Sequence, residues 1–228
     1  MTVQALRAHI DKTIGVDTSK WAQWRDGWEG QAEAAFIDSV LSAQARYGNS
    51  PTTGVRKRVN NWITYRQGLQ ANTLKVDDLT ELAKWTSADD AWRLADEILD
   101  NRQTLRGTGS NRPLKALGIA KAAQAFVSIG ITSATQIADK PEQEAEWCSV
   151  EGLGKETWHY VLMLLGKPDV KVDTMIRRFV DNALGHPVGS EKVRQLVRDT
   201  ATTYGKNATD LDHAIWAWQR KQGNSSVA

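Results

Sequence analysis

Apolar residues recur at helical rather than alternating spacing along nearly the whole chain of 228 residues. A period of roughly 3.6 residues places such side chains on one face of a helix, whereas a half-buried strand needs strict alternation. The pattern therefore predicts an all-α protein. Glycine and proline residues separate the helical segments. Helices are predicted at residues 3–14, 31–45, 54–67, 76–85, 88–103, 114–129, 134–138, 142–148, 155–165, 174–183, 190–204 and 210–222.

The composition narrows the class of protein. With 41% hydrophobic residues, the chain can bury one large core or two small lobes. Its sequence lacks any apolar run of the roughly 18 residues that a membrane span needs, and residues 1–7 lack a signal-peptide core. We therefore expect a soluble, cytoplasmic protein with no membrane partner.

Metal-ligating residues are sparse. Cys148 is the only cysteine, which excludes an intrachain disulfide and any four-cysteine centre. The four histidines show no paired ligand spacing and no H-E-x-x-H pattern. The sequence therefore predicts neither a metal nor a cofactor.

Positive charge is unevenly distributed, although the net charge is only +2. Residues 101–138 contain no carboxylate, and their basic residues are Arg102, Arg106, Arg112, Lys115 and Lys121. A second basic cluster is interleaved with aromatic residues and comprises Arg56, Lys57, Arg58 and Arg66, with Trp62 and Tyr65. Such stripes suit a phosphate backbone, and the alternative interpretation is a solvated helix face.

A glycine-rich turn opens one of the predicted helices. Residues 150–157 read V-E-G-L-G-K-E-T, an apolar helix follows, and the segment V-D-T comes next at residues 172–174. Glycines at 152 and 154 permit positive φ and carry no Cβ to obstruct a phosphate, so the backbone N–H groups at the start of the helix can bind an anion. The alternative is an ordinary interhelical turn.

These segments resemble those of the helix-hairpin-helix DNA glycosylases, in family order. A third matching part is F-I-D-S-V-L-S-A-Q-A at residues 36–45, which resembles the early helix of endonuclease III-type members. The resemblance spans roughly residues 31–180. It implies a two-lobed helical fold with a cleft between the lobes. A helical barrel would cover residues 31–168, and both chain ends, residues 1–30 and 169–228, would form the second lobe.

The resemblance also assigns roles to individual residues. An aspartate before a helix is most often an N-cap, but in this family the residue matching Asp173 stabilises positive charge as the glycosidic bond breaks. Both roles are compatible in one side chain. The hairpin residues predicted to bind DNA are Gly152, Leu153, Gly154, Lys155 and Thr157.

Glu156 occupies the position at which bifunctional glycosylases carry a lysine that forms a Schiff base. A carboxylate cannot form the imine, so the resemblance implies a monofunctional enzyme that uses water. Lys155 is adjacent, but it points about 100° away around the helix. Many endonuclease III relatives also hold a [4Fe–4S] cluster behind the V-D-T helix, where this chain has no cysteine.

Residues near the predicted cleft complete the candidate site. Gln44 matches the residue that fills the gap left by the extruded base, and Tyr47 is a candidate to stack nearby. Both also fit a helix-end glutamine and an aromatic covering the core. The tryptophans at 21, 24 and 28 are candidates for an aromatic pocket wall, although tryptophans usually serve packing. The pocket candidates are therefore Trp21, Trp24 and Trp28.

The resemblance predicts a monofunctional DNA glycosylase of base excision repair, which hydrolyses the N-glycosidic bond of a damaged, alkylated or mismatched base. Its partner would be double-stranded DNA with a lesion or mismatch, bound by a monomer, nucleoid-associated in a prokaryote. Negative charge at Glu151 and Glu156 keeps a second hypothesis open. That alternative is a DNA-binding protein that keeps the fold without the chemistry.

Overall fold

A computed structural model describes residues 2–24, 27–45, 52–69, 75–107 and 112–225. Within these ranges the regular structure is helical and no β-strand is present, which confirms the predicted all-α class. None of the helices in the described residues is long and apolar enough to cross a membrane. The helices are α1 (Thr2–Thr13), α2 (Ala32–Ser42), α3 (Gly54–Leu69), α4 (Leu79–Ala83), α5 (Ala88–Arg93), α6 (Lys115–Ser128), α7 (Pro141–Cys148), α8 (Lys155–Leu164), α9 (Thr174–Leu184), α10 (Ser190–Thr203) and α11 (Ala208–Ser225).

Local sequence explains where several helices begin and end. The Asp78 side chain accepts a hydrogen bond from the Thr80 amide at the start of α4, and Ser87 caps α5 in the same way. Pro141 occupies the first turn of α7, where its missing N–H costs nothing. Gly185 ends α9 with a φ of 77°, a left-handed conformation that glycine adopts without strain.

Two predicted helices differ in the structure by more than shifts of a few residues at their ends. The helix predicted at 88–103 ends earlier, since α5 continues as one π-helical turn, Leu94–Ile98, before Asp100 adopts a φ of 49°. The helix predicted at 134–138 is a turn. The Gln136 side chain accepts hydrogen bonds from the amides of Thr132 and Ser133 there, and so short a segment does not repay the cost of helix nucleation.

The chain divides into two compact units. The central unit is Gly27–Lys167 and contains α2 to α8. The terminal unit combines Met1–Asp26 with Pro168–Ala228 and contains α1 and α9 to α11.

The central unit is built around helix α6, which packs against α2, α4 and α7. Aromatic rings fill its core. The Phe36 ring lies edge-on to Phe126 and Trp147, at centroid distances of 5.2 and 5.0 Å. A buried ion pair joins Glu33 of α2 to Arg66 of α3 over 3.0 Å. Helix α2, which the sequence associates with endonuclease III-type proteins, is buried along nearly its whole length in this unit.

The terminal unit has its own apolar core, which holds α9 against α1, α10 and α11. Its buried members include Ile10 of α1, Phe179 of α9, Val197 of α10 and Leu211 of α11. Helix α9 presents one apolar face to this core, and Asp173 lies directly before that helix. The position of the candidate catalytic aspartate is therefore fixed by the packing of α9.

Candidate nucleic-acid interface and catalytic aspartate

Gly152 is required by its backbone conformation and by its neighbours. Its φ is +85°, in the left-handed region that favours glycine. A Cβ at this position would lie 2.6 Å from the carbonyl oxygen of Arg106 and 2.7 Å from Cβ of Leu105. The turn between α7 and α8 therefore rests directly on the segment before α6, in the carboxylate-free part of the sequence.

Gly154 differs from Gly152 in its backbone conformation. Its φ of −157° is extended and open to any residue, so of the two glycines only Gly152 uses the freedom to adopt a positive φ. A Cβ at Gly154 would meet no heavy atom within 4 Å. The glycine therefore leaves open space at the start of α8, where the helix dipole favours an anion.

Thr157 fixes the geometry of the hairpin. Its hydroxyl accepts hydrogen bonds from the Gly154 amide at 3.1 Å and from Nε1 of Trp147 at 2.8 Å, and it donates to the Gly154 carbonyl at 2.7 Å. One donor and two acceptors exhaust the capacity of a hydroxyl. Thr157 therefore supports the turn from within, and its side chain has no capacity left for a phosphate.

Two further hairpin residues take contrasting positions. Leu153 is buried, whereas the Lys155 side chain is largely exposed and its Nζ lies 2.6 Å from Oε1 of Glu144. The same carboxylate lies 3.7 Å from Nε2 of the buried His159. Lys155 thus brings a positive charge to the start of α8, but Glu144 partly compensates it.

Helix α2 connects the hairpin to the pocket candidates of the central unit. Ser39 donates a hydrogen bond to the carbonyl of Thr157 over 2.6 Å. On the neighbouring position, the buried Asp38 accepts a hydrogen bond from Nε1 of Trp28 over 2.8 Å. The guanidinium carbon of Arg56 lies 4.2 Å from the centroid of the Trp28 ring. Trp28 is thus anchored at its nitrogen and covered by a cation.

Gln44 follows α2 in a strained conformation. Its φ is 57°, a region that few residues other than glycine adopt and that costs roughly 1–2 kcal/mol. A buried cation holds this bend in place, because Nζ of Lys115 donates to the carbonyls of Leu41 (3.0 Å) and Ala43 (2.7 Å) and to Oε1 of Gln103 (3.0 Å). Burial, together with the nearby Arg58 charge, lowers the pKa of Lys115 to about 8.

Gln44 also lines a pocket of about 400 Å³ in the central unit. The lining is rich in hydrogen-bonding side chains, among which Arg58, Asn101 and Gln103 accompany Gln44. Arg58 donates through NH1 to the Gly54 carbonyl, and its buried Nε has no hydrogen-bond partner among the described residues. The pocket therefore offers donors and acceptors of the kind that bind a polar planar ligand.

The basic clusters of the sequence are only partly available to a ligand. Arg66 is buried and pairs with Glu33 and Glu81, and Lys115 is buried against the end of α2. Lys57 pairs with Asp100 on the surface. Some basic residues that the sequence assigned to a phosphate-binding stripe therefore make contacts within the protein instead.

The remaining aromatic candidates, unlike Trp28, do not lie among the described residues of the central unit. Tyr47 lies outside the described residues. Trp21 is buried in the terminal unit, where its Nε1 donates to the Gly15 carbonyl and its ring lies edge-on to Tyr204. Trp24 is half-buried in the same unit, with its ring 5.5 Å from that of His213.

Asp173 caps helix α9 as the sequence predicts. Its Oδ1 accepts hydrogen bonds from the amides of Met175 at 2.8 Å and Ile176 at 3.1 Å. The side chain is half-buried. Both cap bonds use Oδ1, so the Oδ2 atom lies outside the cap, and the carboxylate has a fixed orientation at a helix N-terminus.

The segment that leads to Asp173 is tied to the terminal unit by polar side chains. Asp169 is buried and pairs with Arg198 over 2.7 Å. The Lys171 amide donates to Oδ2 of Asp212 over 3.0 Å. Arg194 donates through Nε to the Val170 carbonyl over 3.3 Å.

The structure thus groups the candidates by unit. The hairpin residues, Gln44 and Trp28 belong to the central unit, whereas Asp173, Trp21 and Trp24 belong to the terminal unit. Sequence patterns placed Arg58 and Lys115 in basic clusters but did not indicate the pocket position of Arg58 or the buried contacts of Lys115. Asp212 was missed, because it stands in no recognisable motif.

Comparison with known proteins locates the chain in a family. A family model described as "Domain of unknown function (DUF8548)" matches residues 4–220. No curated protein sequence matches significantly. A solved structure of MBOgg1 in complex with a low affinity DNA ligand aligns with a TM-score of 0.54 at 15% sequence identity, covering 96% of this chain and 67% of that one. This likeness confirms the predicted helical DNA-glycosylase fold.

Proposed function

The chain belongs to the DUF8548 family, and we propose that it is a monofunctional DNA glycosylase of base excision repair. It would hydrolyse the N-glycosidic bond of a damaged, alkylated or mismatched base in duplex DNA, as a monomer in the cytoplasm or nucleoid. The observation that carries the proposal is Asp173, a half-buried carboxylate fixed at the start of α9 in a glycosylase-like fold.

The proposed chemistry follows from the fixed carboxylate. Departure of a base leaves positive, oxocarbenium-like charge on the deoxyribose, which a nearby carboxylate stabilises. Because the cap hydrogen bonds hold Oδ1 of Asp173, the carboxylate needs no reorganisation as the charge develops. Asp173 would also orient the attacking water. Capping and catalysis thus use the same side chain.

The hairpin would position the DNA without reading its sequence. The open space at Gly154 admits a phosphate to the N-terminal end of α8, and Thr157 and Gly152 hold the turn in shape. Leu153, buried in the turn, would fix the loop, and Lys155 would add a cation at its rim. Contacts of this kind give affinity for any duplex.

Gln44 and its pocket would receive the base left without a partner. An extruded base leaves a gap in the stack and an unpaired base opposite. A backbone held at positive φ presents Gln44, and the same pocket contains Arg58 and Asn101 as hydrogen-bonding groups. The strained conformation supports a functional role, because strain of this kind persists at binding sites.

Glu156 supports hydrolysis without strand cleavage. A carboxylate at this position cannot form an imine with the sugar, so water remains the nucleophile. Burial lowers the pKa of the Lys115 amine to about 8, but its three protons are donated to Leu41, Ala43 and Gln103. The product would be an intact strand with an abasic site.

A non-catalytic DNA-binding protein is the second candidate function. The observation that favours it is negative charge at the hairpin, where Glu144 compensates Lys155 and Glu151 and Glu156 flank the glycine turn. Such charges oppose a phosphate. An intact V-D-T segment, however, has no evident use in a protein that only binds.

The test is incubation with duplexes that carry uracil, alkylated purines, oxidised purines or mismatches, with the released base quantified by mass spectrometry. The proposal predicts release from at least one duplex. Binding of these duplexes without release from any of them would move the assignment to the non-catalytic protein.

A further inference from the structure

The segment between α8 and α9 is held by side chains of two other helices. Thr209 of α11 donates to the Asp169 carbonyl and accepts from its amide, at 3.1 and 3.0 Å. In α10, Arg194 donates a hydrogen bond to the Val170 carbonyl, and Arg198 donates one to Oδ1 of Asp169. Side chains of α10 and α11 thus fix the backbone before Asp173 through hydrogen bonds.

Asp212 of α11 contacts the chain two residues before the candidate catalytic residue. The side chain is 5% exposed, and its Oδ2 accepts the Lys171 amide at 3.0 Å. The next bond along the chain closes a tight turn, because the Asp173 amide donates to the Lys171 carbonyl over 2.7 Å. Asp212 therefore holds one end of the peptide run that ends at Asp173.

We propose that Asp212 is a positioning residue for Asp173, which fixes the turn from Lys171 to Asp173 through its hydrogen bond to the Lys171 amide. This inference rests on the proposed function, since it assigns Asp212 to the same reaction. Asp212 would not touch the substrate. Its effect on the reaction would come through the orientation of the Asp173 carboxylate.

Charge at Asp212 matters because Asp173 is close. Burial raises the pKa of Asp212 well above its ordinary value, the charge of Asp173 raises it further, and the Lys171 amide and charge oppose this shift. Asp169, which also raises it, is paired with Arg198, and its Oδ1 lies 3.9 Å from Nε of Arg194. The raised pKa favours the protonated form of Asp212 and so limits negative charge beside Asp173.

The sign of the pH effect follows. A carboxyl group whose native pKa is raised favours folding below the unfolded pKa, and this contribution is lost as the pH rises through the native pKa. Ionisation of Asp212 would also place a second negative charge beside Asp173 and disturb the turn. We therefore expect the rate of base release to fall at high pH in the wild type.

Two substitutions separate positioning from packing. Asp212→Asn keeps an acceptor for the Lys171 amide and removes the titration, whereas Asp212→Leu fills similar space without an acceptor. Thr209→Val is the matched control, because it removes the hydrogen bonds to Asp169 and leaves Lys171 untouched. Single-turnover base release, duplex affinity and melting temperature would be measured for each variant from pH 5 to 9.

Asp212→Leu should lower the single-turnover rate by at least about tenfold at unchanged duplex affinity, the signature of misplaced catalytic geometry. Asp212→Asn should keep a rate within about threefold of wild type and extend it to higher pH. A wild-type rate in Asp212→Leu would overturn the proposal. So would rate losses in all three variants that merely follow their melting temperatures.

Amide hydrogen exchange keeps the inference testable if no substrate is found. Faster exchange at residues 171–173 in Asp212→Leu, but not in Thr209→Val, would support the positioning role even if the proposed reaction failed. Unchanged exchange in Asp212→Leu would overturn it. The melting-temperature gain of Asp212→Asn over wild type should likewise be larger at pH 8 than at pH 4.

Discussion

The indole Nε1 of Trp147 donates a 2.8 Å hydrogen bond to the Thr157 hydroxyl and so joins the two helices of the hairpin. Thr157→Val removes this acceptor and leaves the N–H of a fully buried tryptophan without a partner. The free energy of unfolding should fall by about 1–3 kcal/mol, measured by urea denaturation. Thr202→Val, which removes an exposed hydroxyl from α10, is the control and should change it far less.

Substitution of Gly154 tests the phosphate-binding role of the hairpin. Gly154→Val places a side chain in the open space before α8 at a φ that valine adopts readily, so the fold should persist while binding weakens about equally for all duplexes. Fluorescence anisotropy measures the affinities. A changed lesion preference at constant affinity would contradict this role.

Gly189→Val is the matched control, because Gly189 also precedes a helix, α10, and a Cβ there meets nothing within 4 Å. It should leave duplex affinity unchanged. Gly152→Val is not a clean test, since its Cβ would collide with the Arg106 carbonyl, and we expect it to destabilise the central unit.

Gln44→Gly separates strain from function. Glycine relieves the positive φ, so the melting temperature should not fall, whereas loss of the side chain should lower base release by about tenfold. Asp100→Gly relieves the other positive φ among the non-glycine residues described and is the control. Equal activity of the Gln44→Gly variant and wild type would remove Gln44 from the site.

Glu156→Lys tests the monofunctional assignment. The wild type should leave a strand that is cut only after added alkali, and borohydride should trap no covalent complex. The variant gains an amine at the bifunctional position and loses a repulsive charge, so we expect tighter duplex binding and weak trapping. Glu142→Lys, with the same charge change on the exposed start of α7, controls for charge alone. Robust trapping by the wild type would point to another amine, with Lys155 tested first.

Local sequence rules predicted the elements that depend on short spacing. The Asp173 cap, the glycine turn at 152 and the breakers after α8 and α9 follow from neighbouring residues, and the structure contains each of them. The segment at 134–138 escaped these rules because the Gln136 side chain accepts hydrogen bonds from the Thr132 and Ser133 amides and so stabilises a turn in place of a helix.

Contacts between residues far apart in the sequence could not be predicted from the spacing of residue types. Lys115 bonds to carbonyls more than seventy positions away, and Asp212 holds an amide 41 positions earlier. A buried charged residue with distant partners carries no local signature, so the sequence placed Lys115 in a basic stripe and assigned no role to Asp212. The positive φ of Gln44, which follows the two carbonyls that Lys115 binds, likewise had no signature in the local sequence.

The rate of base release by Asp173→Asn, compared with wild type under single-turnover conditions, tests the central claim most directly. Asparagine keeps an oxygen for the Met175 and Ile176 amides but loses the charge, so release should fall by about two or more orders of magnitude with little change in melting temperature. Asp78→Asn, which alters the aspartate cap of α4, should retain the wild-type rate. An unchanged rate in Asp173→Asn would contradict the catalytic assignment of Asp173.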